Sequence, residues 1–154
     1  MVDYFIFSYY ILIMLNKREI LHLSLALAIL IAFLYIKTLE FSLFWTHPWI
    51  DLLLHFLGGL WLTITSLWLF FFSDLFKIKI NKRNIFLIAF LSVLIIGLLW
   101  EVFEYITGLS LGEANFITDT ISDIVMDFVG AFAAYKLFTY SFLIDIGIVI
   151  YVCI

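Results

Sequence analysis

Cysteine is all but missing from this chain, and two functional classes go with it. Cys153 stands alone, so there is neither a disulfide framework nor a thiolate metal site. Charge is nearly as scarce, with Asp, Glu, Lys and Arg making up 13% of the residues. No basic tract suits nucleic acid, and no acidic tail suggests disorder. The single proline, Pro48, falls in a linker. The first long apolar run has no small-residue cleavage site behind it, which argues for a permanent span and against a cleavable signal. What is plentiful is hydrocarbon. Hydrophobic residues make up 66% of the chain and aromatics 20%. The mean hydropathy of +1.21 excludes a soluble globule. The expected fold is all-α: one domain, residues 1–154, built as a polytopic transmembrane helix bundle.

Apolar runs mark four spans at about residues 20–36, 50–72, 85–108 and 117–138, and a candidate fifth at 141–154. Tyr4 to Leu15 covers only about 18 Å as a helix, too short for a ~30 Å hydrocarbon core, and reads as an interfacial helix anchored by its aromatics. Met14, just before Asn16-Lys17-Arg18, is an alternative start to Met1. Trp45, His47, Pro48 and Trp49 form an aromatic belt between the first two spans. Placing Lys17 and Arg18 in the cytoplasm also places Lys77, Lys79, Lys82, Arg83 and Lys136 there and leaves only Lys37 outside. This positive-inside pattern predicts a multi-pass protein of the inner (cytoplasmic) membrane.

Against this background stand Asp119, Asp123 and Asp127, spaced four residues apart and therefore on one helix face. Carboxylates inside a span are costly and read as functional. Their partners follow from depth. The second span enters from outside, with Asp51 at the boundary and His55 about 6 Å lower. The third rises from inside and reaches Glu101 after about 24 Å, with Glu104 one turn higher. The fourth carries Asp123 about 9 Å and Asp127 about 15 Å down from the same boundary. Three helices thus deliver acids to one layer of the outer leaflet. Gly59, Gly97 and Gly130 lie near those polar faces, and Gly130 with Ala134 forms a small-xxx-small spacing that permits close helix approach. The expected arrangement is three helices packed tightly below the acids and holding a polar pocket above, open to the outer surface or sideways to the outer leaflet.

Six carboxylates and one imidazole share that layer, with no Lys or Arg in the spans beside them. Like charges at short range in low dielectric cannot all ionise unaided, so either protons or a bound cation must neutralise them. Hard oxygen donors with one imidazole suit Mg²⁺, Mn²⁺ or Ca²⁺ ahead of Zn²⁺ or Fe²⁺. The di-iron Glu-x-x-His pattern is absent, Glu101-x-x-Glu104 standing in its place. The candidate ligands are His55, Glu101, Asp123, Asp127 and Asp119, with Glu104 or Asp51 as general base. Each has a plainer reading. Asp119 and Asp51 can favour the positive end of a helix dipole, and His55 can be a hydrogen-bonded packing residue. Glu104 can reach the surface, and a protonated acid can act as interhelical glue worth only ~1–2 kcal/mol. One such acid would suffice for glue, whereas Glu101, Asp123 and Asp127 all lie deep.

Asp51-x-x-x-His55-Phe-Leu-Gly-Gly, Trp100-Glu101-Val-Phe-Glu104 and Asp119-x-x-x-Asp123-x-x-x-Asp127-x-x-Gly130-Ala, in that order, resemble the YjdF-like family of small bacterial inner-membrane proteins. More distantly they resemble the VanZ-like family, in which a Gln is usual at the position of Glu104 and an Asn at that of Asp127. The resemblance implies the fold and the site residues more than an activity. Three functions then compete. One is a metal-dependent hydrolase, transferase or binding protein for phosphorylated lipid or a lipid-linked envelope precursor. The absence of an arginine clamp weighs against it. Another is proton or cation transport along the aspartate ladder, which stops midway and would need a further helix or a homo-oligomer. The third is a scaffold whose acids specify packing. Membrane lipid is the expected partner in each, and nucleic acid in none.

Overall fold

The computed structural model of the protein describes residues 17–76, 78–108 and 116–152. They form five helices: α1 (Lys17–Glu40), the single-turn α2 (Leu43–Thr46), α3 (Trp49–Phe72), α4 (Lys82–Thr107) and α5 (Phe116–Val152). The architecture is the expected all-α bundle. Helices α1, α3 and α4 are each long and apolar enough to cross a membrane. Residues 4–15, expected to be interfacial, lie outside the described residues.

Helix ends follow local chemistry. Asn81 caps α4, its side-chain oxygen accepting from the Asn84 amide at 2.8 Å. Gly108 closes the same helix with φ 76°, a left-handed turn that suits glycine. Ser42 adopts φ 53° between α1 and α2 without glycine's freedom. No break separates the fourth predicted span from the candidate fifth, since α5 continues unbroken for 37 residues. Phe138-Thr139-Tyr140-Ser141 holds no glycine or proline to end it. At about 55 Å it is longer than a ~30 Å hydrocarbon core.

Helix α3 is the axis of the bundle, packing on α1, α4 and α5, most extensively on α5. It runs parallel to α5: His55 meets Asp123 near one end, and Phe71 and Phe72 meet Phe138 near the other. Helix α5 is thereby carried across the same layer as α3. Helix α4 runs antiparallel to α5, through the Phe90–Phe128 and Phe86–Tyr135 ring pairs. Helix α1 docks antiparallel on α3. Ser24 donates to Thr65 at 2.7 Å, since the Thr65 proton goes to the Trp61 carbonyl. The Trp68 indole donates to the Lys17 carbonyl at 2.9 Å. Helices α1 and α4 do not pack on each other.

The interior mixes small and polar residues with aliphatic ones such as Leu67, Ile85 and Val93, and the surface is apolar. Buried positions include Ser24, Thr38, Thr63 and Ser66 beside Ala89, Ala131 and Ala134, while Ile29, Phe33, Ile95, Leu99 and Val125 are exposed. Lipid tails are as apolar as leucine, so helix association here rests on close packing and interhelical polar contacts. Glycine sets the closest approach. A Cβ on Gly59 would land on the Asp127 carbonyl oxygen, and one on Gly130 would land on that of Phe56. The α3–α5 crossing is thus glycine against backbone from both sides. This matches the tight region expected beneath the acids.

Candidate metal centre

The helix spacings place the polar residues first, and the glycine crossing then brings them together. Asp51 and His55 stand one turn apart on α3, Glu101 and Glu104 one turn apart on α4, and Asp123 and Asp127 one turn apart on α5. All converge near one end of the bundle, and His55 is the hub. Its Nε2 lies 3.9 Å from both Asp51 Oδ1 and Asp123 Oδ2, while its Nδ1 lies 3.5 Å from Asp127 Oδ1. Carboxylates from two helices bracket both ring nitrogens at ion-pair distance, too far for good hydrogen bonds.

Two groups of donors share the imidazole. Asp51, His55 and Asp123 form one, and His55, Glu101 and Glu104 the other. Within each, one atom per residue lies within 4.8 Å of the others. Two ligands on opposite sides of a hard divalent ion are about 4–5 Å apart, twice a bond of about 2.1–2.4 Å. The spacing therefore fits an ion with modest side-chain adjustment.

Burial sharpens the case. Asp123 is 1% exposed and Glu101 6%. Both oxygens of Asp123 and Oε1 of Glu101 are buried without a hydrogen-bond partner, as is the hydroxyl of Thr120. A buried carboxylate with no donor to answer it carries a desolvation cost that packing alone does not explain. Lys37, in the last turn of α1, is held by Glu40 at 2.6 Å and sits over the Phe41 ring.

Asp127 is further shaped by its neighbours. The α4 backbone approaches so closely that a Cβ on Gly97 would stand 2.9 Å from Asp127 Oδ2. Gly97 thus makes room for that carboxylate. Asp119 is only partly buried and belongs to neither donor group. His47 is exposed and pairs through Nδ1 with the Thr46 hydroxyl at 2.8 Å.

The polar pocket expected above the helix crossing is present, and one of its walls is α1, a helix that residue spacing did not bring to the site. A cavity of about 400 Å³ lies over α3 between α1 and α4. Asp51, His55, Glu104 and Asp127 face it, together with Tyr35, Trp61, Trp100 and small residues of α1. Tyr35 escaped notice in the sequence because one hydroxyl in an apolar run carries no spacing signal, and Thr120 because it stands among the polar residues of the aspartate ladder. Neither the curated proteins nor the solved structures gave a match to this chain. The family model for a predicted membrane protein, DUF2238, matches residues 4–143, so the chain belongs to that family, the one its YjdF-like motifs resemble.

Proposed function

We propose that this membrane protein binds a divalent cation in the His55 cluster and uses it to hold phosphorylated lipid or a lipid-linked envelope precursor. The observation that carries the reading is Asp123, 1% exposed with neither carboxylate oxygen partnered, beside the imidazole hub. A bound Mg²⁺, Mn²⁺ or Ca²⁺ would answer those oxygens and offset the crowding of carboxylates. Asp123, Glu101, Asp127 and His55 would hold the ion, with Asp119 in support. Asp51 and Glu104 face the cavity and are placed to accept a proton from a nucleophile there. Bound metal supplies Lewis-acid polarisation of a phosphoryl oxygen, which compensates for the missing arginine clamp.

The orientation reading puts this end of the bundle in the outer leaflet of the inner membrane. It is supported by Lys17, Arg18, Lys79, Lys82 and Arg83 lying at the opposite ends of α1, α3 and α4. A proton relay along α5 has less support. Among the described buried residues, none beyond Asp127 is titratable.

The test is metal analysis of purified protein together with thermal unfolding. The protein should retain a divalent ion. At a hundredfold excess over Kd that ion contributes about 2.7 kcal/mol, which chelator removes. Asp123→Asn should abolish both effects. Metal-free protein indifferent to chelator would sink the proposal.

A further inference from the structure

The cluster has a closed side and an open side, and this decides where a ligand enters. Asp123 and Glu101 lie behind, buried and away from the cavity, whereas Asp51, His55, Glu104 and Asp127 line it. The cavity walls are α1 and α4, the two helices that do not pack on each other. Small residues hollow it out: Ala28 and Ala32 on α1, Gly58 on α3 and Gly97 on α4. The open side of the cluster therefore faces sideways, through the gap between α1 and α4.

Polarity along the cavity is ordered. Tyr35, Asp51 and Glu104 stand at the end nearer the helix termini. From there the α3 wall runs about 16 Å deeper to Trp61 and Leu62, and α1 about 10 Å to Ala28. The polar lining reaches down to Asp127 at the level of Gly58 and Gly97, and beyond it the cavity ends among apolar Ala28, Trp61 and Leu62, which is the polarity order of a lipid in the same leaflet. Every charged side chain on the lining is acidic or imidazole. An anionic head can approach only when a cation is already in place.

Resting on the metal reading above, we infer that the site takes a membrane-borne, phosphate-headed amphiphile with a narrow hydrocarbon chain. It enters laterally between α1 and α4, the chain lying along Ala28 and Ala32 and the phosphate facing the bound cation. The occupant comes from the bilayer and not from water, because the open side of the cluster faces the gap between two lipid-exposed helices.

The experiment uses the full chain in phosphatidylcholine nanodiscs, with labelled hexadecyl phosphate as probe and bound metal measured in parallel. Retention of the probe should require Mg²⁺. Ala28→Trp and Ala32→Trp, on the α1 wall, which supplies none of the metal donors, should each weaken it about tenfold or more while bound metal stays at the wild-type level. Three results overturn the inference and leave the metal reading standing: metal bound with no probe retained, probe binding indifferent to both tryptophans, or inorganic phosphate competing as well as the alkyl phosphate. Retention of hexadecyltrimethylammonium without metal would show a cationic head instead and also overturn it. Failure of the metal reading looks different, since the wild-type protein then carries no ion.

Discussion

Two adjacent glycines on α3 should respond oppositely to the same methyl group. Gly58 faces the cavity, where a Cβ would meet only Asp127 Oδ1, at an ordinary 3.8 Å. Gly59 faces α5, where a Cβ would collide with the Asp127 carbonyl oxygen and stand 2.7 Å from its carbon and 2.8 Å from its Cα. Restoring a carbon separation of about 3.5 Å requires the helices to part by about 0.8 Å or more, and backbone cannot rotate away as a side chain does. Overpacking of this kind costs about 1–3 kcal/mol. In a chain of this size that is a Tm gap of roughly 2–12 °C between Gly58→Ala and Gly59→Ala. Both substitutions gain the same ~0.8–1.0 kcal/mol of helix propensity, so the comparison between them isolates the crossing. Gly58→Ala should therefore melt at or above the wild-type temperature and Gly59→Ala well below it. Gly130→Ala should behave like Gly59→Ala, because its Cβ meets Phe56 carbonyl and the Leu60 amide nitrogen at 2.7 Å. Gly97→Ala should fall between, its neighbour being the movable end of Asp127 at 2.9 Å. Thermal unfolding of the four variants in one detergent is the assay. Equal melting of Gly58→Ala and Gly59→Ala would refute the glycine-on-backbone crossing.

Asp119→Asn should leave bound metal close to wild type while Asp123→Asn abolishes it, since Asp119 is only partly buried whereas Asp123 is fully buried beside His55; equal loss from both would place Asp119 among the principal ligands. A double-mutant cycle on Ser24→Ala and Thr65→Ala should return about 0.6 kcal/mol, typical of a hydrogen bond between membrane helices, and zero coupling would deny the 2.7 Å contact. Asn81→Ala removes the cap of α4 and should cost about 1 kcal/mol in thermal unfolding, whereas Asn81→Asp should be tolerated.

Depth was legible in the sequence and azimuth was not. Counting residues from each boundary put Asp51, His55, Glu101, Asp123 and Asp127 at one level, and the structure brings them together there. The same count could not rank His55, which in isolation resembles a packing residue. Only the α3–α5 crossing turns both of its nitrogens toward carboxylates. Gly59 and Gly130 were visible as small residues near polar faces, but which backbone each would meet depends on helix rotation. A pocket above the crossing was legible, but its opening between α1 and α4 was not. It exists because α1 and α4 stay apart, and no residue pattern within either helix encodes a gap between them. The length of α5 was likewise hidden, because the run was divided into a span ending near residue 138 and a candidate span from 141, whereas the four residues at the division are compatible with helix.

The parallel pairing of α3 with α5 has a consequence for how the protein is made. Each aspartate near the centre of an inserting helix opposes partition into lipid by about 2.5–3.5 kcal/mol. Helix α5 bears a ladder of them, so it is a poor candidate for entering the bilayer by itself. By the time it leaves the ribosome, α3 is already synthesised, with an imidazole at the level of the acids and a glycine notch for their backbone. The hub that organises the finished site thus doubles as the landing place for the last helix, and variants of His55 or Gly59 should lower the yield of inserted protein before any binding is measured.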